Sequence, residues 1–232
     1  MTDSPTQDHP PDDSGLWARV DDYFAVLAPE DDALVATRRR ADEAGLPDIA
    51  VAPNQGKLLQ LLATLTGARR VLEIGTLGGY STLWLTRALP ADGRVVTLEL
   101  EQHHAQVARE SLDAAGVGER VDVLVGPAAD SLSALAEQDV EPFDLVFVDA
   151  DKQQLALYLE RTLPLVRPGA VVVVDNVVRL GAVVEPDHPD DRVQGVRRMV
   201  DLLTDHPRFD ATVVQTVGVK GYDGFALLRV LP

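Results

Sequence analysis

The apolar positions change their period partway along the chain. Leu16, Trp17, Val20, Tyr23, Phe24 and Leu27 recur at the spacing of an amphipathic helix. Asp31 to Ala44 predicts a second helix with Gly45 as its stop, and Pro47 and Pro53 bracket a loop. Asn54 is placed to cap a third helix that runs through Leu58, Leu59, Leu61 and Leu62 to Thr66 and stops at Gly67. From residue 71 onward short β-branched runs take over, at Val71–Ile74, Val95–Glu99, Val121–Val125, Leu145–Val148 and Val171–Val174. Helical stretches lie between them, at Tyr80–Ala88, His103–Ala115, Ala128–Glu137 and Gln153–Leu165. Near-continuous apolar strands separated by helices predict a parallel sheet covered on both faces. After a helix at Val193–Leu203, the runs Ala211–Thr216 and Phe225–Val230 have no helix between them, so they are expected to pair antiparallel at one edge. The sum is an α/β, Rossmann-like domain over residues 15–232. It has a seven-stranded, mostly parallel sheet with an antiparallel C-terminal edge strand, helices on both faces and accessory helices at the N-terminus. Residues 1–14, with three prolines, four aspartates and no cation, read as a disordered acidic tail.

Composition narrows the class. The 232 residues are 46% hydrophobic, enough for one full core. No run approaches the roughly 18 apolar residues of a membrane span. The N-terminus has no basic-then-apolar export pattern, so a cytoplasmic protein is expected. The chain has no cysteine, which excludes disulfide scaffolds, thiolate catalysis and Cys-ligated zinc. A net charge of −16 makes nucleic acid a poor partner and gives no pull toward anionic lipid.

In sheets of this kind, ligands bind outside the carboxyl ends of the strands, so the residues just after each strand are the candidates. Val71 to Ser81 reads VLEIGTLGGYS, a strand, a Gly-rich turn and the start of a helix. Its glycines, at 75, 78 and 79, allow a cofactor to lie against bare backbone. Glu73 is expected inside the turn, where a carboxylate would repel a pyrophosphate and suit a cofactor with a cationic end, such as S-adenosylmethionine. A plain tight packing turn stays open as the alternative. Glu99 ends the next strand, 24 residues after Gly75, where a carboxylate can accept from both hydroxyls of an adenosine ribose. Asp149, Asp151 and Lys152 emerge from Leu145–Val148, and Asp175 and Asn176 from Val171–Val174. If those strands are neighbours, Asp149, Asp175 and Asn176 share one small volume. Two uncompensated carboxylates there would cost several kcal/mol, which a divalent cation relieves. An all-oxygen set suits Mg²⁺, Mn²⁺ or Ca²⁺ better than zinc. Each acid alone can also be read as a helix cap.

Residues 51 to 230 resemble the cation-dependent O-methyltransferases, the group of catechol and caffeoyl-CoA O-methyltransferases. The resemblance is carried by Gln55-Gly56, Glu73-Ile-Gly-Thr76 with Gly79-Tyr-Ser81, Glu99, Val148-Asp-Ala-Asp-Lys152 and Asp175-Asn-Val177. It implies a class I methyltransferase fold with Asp149, Asp175 and Asn176 as metal ligands and Glu99 on the cofactor ribose. It further implies a cofactor pocket lined by Val51, Glu73, Gly75, Thr76, Ser81, Ala128, Asp149 and Asp151, with Lys152 as general base. A cation that chelates both oxygens of a vicinal diol, such as a catechol, would lower their pKa. Lys152 could then take a proton where nearby positive charge favours its neutral form, or it could simply pair with Asp149 or Asp151. A small hydroxylated acceptor and a homodimer are therefore expected. A sugar or polyketide hydroxyl is the first alternative and a NAD(P)-dependent oxidoreductase the second. Three features receive no firm role. Asp223 is one, and near Val217 there is no second acid of the kind mammalian catechol enzymes use. The acidic loop Arg179–Gly195, with His188, reads either as a substrate lid or as a mobile surface loop. His103 and His104 open a helix and are expected at the surface.

Overall fold

The computed structural model describes residues 14–232. The acidic tail lies outside the described residues except for Ser14, which begins the first helix. Helix α1 spans Ser14–Phe24 and runs on as a 3₁₀ turn, Ala25–Leu27. Helix α2 is Asp32–Glu43, and the Asp31 carboxylate caps it by accepting from the Leu34 amide. Helix α3 is Pro53–Leu65. Its cap is Ala52 and not Asn54, because Pro53 takes the first helical position, where a missing N–H is no loss. Asn54 instead donates to the Asp21 carboxylate of α1 at 3.0 Å.

The alternating part follows the expected order, as β1 Arg70–Ile74, α4 Tyr80–Ala88, β2 Arg94–Glu99, α5 Gln102–Ala114, β3 Val121–Val125, α6 Ala128–Glu137, β4 Phe143–Val148, α7 Leu155–Thr162 and β5 Val166–Asp175. Helix α8 is Asp191–Thr204, and the hairpin β6 Phe209–Gly218 and β7 Gly221–Val230 closes the chain. The seven strands lie in the order β3-β2-β1-β4-β5-β7-β6. β7 runs antiparallel to the other six strands and sits between β5 and the edge strand β6. Both hairpin strands outlast their apolar runs, since the turn at Val219-Lys220 is so tight that pairing extends to Gly218 and Gly221.

Alternate strand residues feed opposite cores. Leu72, Ile74, Val146, Val148, Val172 and Val174 pack under α6, α7 and α8. Val71, Leu145, Phe147 and Val173 pack with Leu59, Leu83, Trp84 and Leu112 on the other face. A strand residue therefore has an apolar neighbour whichever way it points, which is why these strands lack polar alternation. Strand order reverses between β1 and β4, and the cavities described next open outside the carboxyl ends of the strands there. Among the described residues no helix is long and apolar enough to cross a membrane.

Candidate active site

The β1–α4 turn is fixed by its backbone. The Gly75 amide donates to the Leu98 carbonyl at 2.9 Å, and the Asp149 amide donates to Ile74 at 2.8 Å, so the ends of β1, β2 and β4 are laced together. Gly75 has φ +102, and a Cβ there would overlap the Asp149 carbonyl. Glycine is thus required twice over at this position, for its backbone angle and for the close approach of β4. Glu99, at the end of β2, closes the same turn. One oxygen accepts from the Thr76 and Leu77 amides at 3.1 and 2.8 Å, and the other from the Glu101 amide at 3.0 Å.

Outside these strand ends lies a cavity of about 750 Å³. Its wall brings together Val51, Gly75, Thr76, Ser81, Glu99, Ala128, Asp149, Asp151, Lys152 and Asn176. Glu73 is not in that wall. It lies on β1 beneath the turn, 0% exposed, and its carboxylate accepts from the hydroxyls of Ser81, Thr82 and Thr97. Burial pushes its carboxyl up to about 7, against the pull of those three bonds. Glu73 therefore reaches the cavity through Ser81 and, by way of Thr97, through Thr76, and it does not meet a ligand there by direct contact as the sequence suggested. His104 departs from expectation in the opposite sense. It is half-buried in the cavity wall with Nδ1 3.4 Å from the Glu99 carboxylate, because the first turn of α5 leans over the end of β2. His103 is exposed and bonds to the Ala44 carbonyl.

A second cavity of about 240 Å³ is lined by Asp21 of α1, Asn54, Gln55 and Leu58 of α3, Asp175, Asn176, and the β6–β7 turn with Asp223. The two cavities meet at Asn176, which lines both, with Asp149 facing the first and Asp175 the second. Val148 and Val174 are register partners on β4 and β5, so Asp149 and Asp175 leave adjacent strands side by side. Burial, and after it the Asp149 carboxylate, raises the Asp175 carboxyl. The Gln55 side chain lies beside it. Lys152, 5% exposed, donates from Nζ to Asp149 at 2.8 Å. Asn176 adopts φ +55, a left-handed conformation that asparagine tolerates better than most residues. Two carboxylates and an amide, all oxygen donors on a compressed and partly uncompensated charge, fit a hard divalent cation. Among the described residues no cluster of three acidic or histidine side chains offers another site.

Among the other wall residues, Tyr158, Arg179, Arg192 and Asp223 received no role from the sequence. Asp151 accepts from the Tyr158 hydroxyl and from Gln154, which orients it, and Tyr158 is itself in the wall. Asp223 accepts the amides of Val178, Arg179 and Gly224, each at 3.0 Å. The segment expected as a mobile loop is tied down. Residues Arg179–Val184 form 3₁₀ turns, Arg197 donates to Val183 at 2.7 Å, and α8 begins at Asp191, capped by Asp190. Arg179 and Arg192 from this segment line the first cavity, whereas His188 only accepts from the Asp190 amide. Position just past β5 was the available signal for Arg179. No signal in the sequence marked Arg192 or Tyr158.

Strand order and a cleft at the carboxyl ends of β1, β2 and β4 define a Rossmann-like class I methyltransferase. The comparisons narrow the class. Residues 26–230 match the O-methyltransferase family, and a catechol O-methyltransferase from Mycobacterium tuberculosis is 50% identical over 225 residues, covering 97% of each chain. The chain belongs to the O-methyltransferase family. Two solved structures are close in shape. The O-methyltransferase from Bacillus cereus, in complex with S-adenosylhomocysteine, is 49% identical with a TM-score of 0.92, covering 94% of this chain and 99% of that one. TomG from Streptomyces achromogenes, in complex with S-adenosylmethionine and involved in tomaymycin synthesis, is 53% identical with a TM-score of 0.91 and the same coverage. Family membership sets aside the oxidoreductase alternative.

Proposed function

We propose that this O-methyltransferase takes its methyl group from S-adenosylmethionine, requires a divalent cation (Mg²⁺ before Mn²⁺ or Ca²⁺), and methylates one hydroxyl of a catechol-like or other vicinal-diol acceptor. What supports the reading is the partition between the two cavities, where Asp149, Asn176 and Asp175 lie between the volume walled by Glu99 and the volume walled by α1, α3 and the hairpin turn. In this reading the larger cavity takes the cofactor. Glu99 receives the ribose hydroxyls with lone pairs not used by the Thr76 and Leu77 amides. Ser81 and the backbone at Val51 surround the amino-acid end, Ala128 lies at the adenine, and Asp151, held by Tyr158, lines the same pocket. The smaller cavity takes the acceptor ring. Asp149, Asp175 and Asn176 hold the cation, which supplies Lewis-acid polarisation of the acceptor hydroxyls when bound. Lys152 is within one hydrogen bond of Asp149, and where the positive charge of a cation held by Asp149 favours its neutral amine, Nζ would receive the proton of the reacting hydroxyl. Burial of Lys152 and Asp175 keeps water from that step.

Methylation of catechol is measured with and without EDTA. Loss of activity in EDTA, restored by Mg²⁺, is expected, and full activity in EDTA would sink the metal role. Asp175→Ala should abolish turnover, and an unaffected variant would break the site assignment. Tailoring of a hydroxyl on a biosynthetic intermediate is a second reading, favoured by the likeness to TomG, and an acceptor screen separates the two.

The proposal includes a homodimer. Tyr23, Phe24, Val26 and Leu27 at the end of α1, and Val213, Val214 and Val217 on the edge strand β6, are exposed apolar residues on elements that Asp21 pins together through the Val219 amide. Light scattering after gel filtration reads the mass directly, and a monomer at micromolar concentration would refute it.

A further inference from the structure

Arg179 is three residues past Asn176 and lines the large cavity beside Asn176 and Lys152. It has φ +55 and Leu180 has φ +56, left-handed angles that strain side chains of this kind. The Asp223 carboxylate holds this turn by accepting the Val178 and Arg179 amides on a single oxygen. The structure thus maintains strain in order to present this side chain at this point.

The guanidinium so presented makes no hydrogen bond among the described residues, and the Asp190 carboxylate feels its charge only at longer range. Its Nε is shut off from solvent. The other half-buried arginines, Arg40, Arg70, Arg87, Arg120, Arg167, Arg197 and Arg208, all donate from their side chains to protein acceptors; Arg120 shares the orphaned Nε but bonds through Nη2 to the Thr86 carbonyl, whereas Arg179 makes no side-chain bond among the described residues. Scarcity of acids does not explain the exception, since the chain has 37 acidic residues against 21 basic ones. A buried donor left without a partner loses its hydration with nothing in return. One held that way in the wall of a ligand cavity implies that the ligand brings the acceptor atom.

We propose that Arg179 is a specificity-determining residue that receives a carboxylate carried by the acceptor, so that the preferred substrates are acidic vicinal diphenols and not neutral ones. This rests on the acceptor reading given above. Arg179 lines the cavity that takes the cofactor, and three placements set it at the end of that cavity nearest the acceptor, beside Asn176, which lines both cavities. Arg179 follows the strand that ends in Asp175, its turn is held by Asp223 of the acceptor cavity, and Glu99, Thr76 and Ser81 belong to β2 and the β1–α4 turn. The planar guanidinium fork matches a carboxylate in two parallel bonds, which an ammonium cannot do.

The test compares catechol with 3,4-dihydroxybenzoate as acceptors, at saturating S-adenosylmethionine and Mg²⁺, for the unaltered enzyme, Arg179→Leu and Arg179→Lys. Cofactor affinity is read separately by calorimetry. The ratio of kcat/KM for the acid to that for catechol should exceed one in the unaltered enzyme. It should fall about ten- to a hundredfold in Arg179→Leu, mainly through KM, the equivalent of one charge-assisted hydrogen-bonded pair. Arg179→Lys should lie between the two, and it carries the test alone should the leucine variant not fold. An unchanged ratio in both variants overturns the proposal. So does an unchanged ratio with weakened cofactor binding, which would assign the anion to the cofactor. Absence of turnover with either acceptor in the unaltered enzyme would instead defeat the underlying acceptor reading.

Discussion

Glu73 gives the sharpest quantitative expectation. Its carboxyl is fully buried beneath the cofactor turn, and burial raises it from its ordinary 4.5 to about 7 despite three donated hydroxyl bonds. At ~1.4 kcal/mol per pH unit, that rise corresponds to about 3 kcal/mol. The sign follows from linkage. An acid whose folded value lies above its unfolded value contributes stability that is fully present below the unfolded value. That stability is lost as pH climbs through the folded value, here between 4.5 and about 7. Glu73→Gln removes the titration and keeps the shape, and its amide can still accept from Ser81 while a neighbouring hydroxyl rotates to accept in turn. Any fixed packing penalty of the substitution is the same at every pH. The informative quantity is therefore the change with pH of the stability difference between the two proteins. Urea unfolding at about pH 5 and about pH 8 should show the glutamine variant gaining about 2.5 kcal/mol relative to the unaltered protein between the two conditions, the rest of the change falling below pH 5. A difference that stays constant across that interval would show that Glu73 does not titrate there, and the burial argument would be wrong.

Three further outcomes follow from close contacts. Burial alone would raise the Asp144 carboxyl, but Arg167 at 2.6 Å and the Arg69 and Arg70 amides hold it below the usual range, so Asp144→Ala should lose about 2 kcal/mol near neutrality, and the deficit should shrink in acid as the native carboxylate is protonated; a deficit that grows in acid would contradict this. A Cβ on Gly195 of α8 would overlap the Lys152 carbonyl, so Gly195→Ala should shift the lysine and cut kcat at least about tenfold while cofactor affinity holds; unchanged kcat would show that α8 yields instead. Gly75→Ala combines φ +102 with overlap of the Asp149 carbonyl, and calorimetry should find cofactor binding lost in whatever folds; retained affinity would mean that the turn is not rigid.

The sheet was legible because its grammar is local. Buried parallel strands read as apolar runs, and Val71–Ile74, Val95–Glu99, Val121–Val125 and Leu145–Val148 fall on observed strands to within a residue or two. The hairpin was cut short because its outer residues are held by pairing across a two-residue turn and not by burial, as the exposure of most of β6 shows. Asn54 was mistaken for a cap because a proline one residue earlier satisfies the helix start without any side chain. Glu73 was misjudged for a related reason. Position next to a Gly-rich turn indicates proximity, whereas strand parity decides which way a side chain points, and parity turned this one under the turn toward three hydroxyls.

The two halves of the site differ in how they can be read at all. Donor-side residues each follow a strand end, so topology alone collects Gly75, Thr76, Glu99, Asp149 and Asp151 into one cleft. The acceptor side joins Asp21, Gln55, Asp175 and Asp223, drawn from α1, α3, β5 and β7, and no periodicity links those four positions. Asp223 shows what this conceals. In the sequence it is one acid among 37, yet it fixes the backbone that carries Arg179 toward the cavity. On the proposed assignment, specificity rests on contacts between segments distant in sequence, whereas the methyl-donor site rests on contacts that any such sheet creates. A substitution at Asp223 should accordingly alter which acceptor is used before it alters how tightly the donor is held.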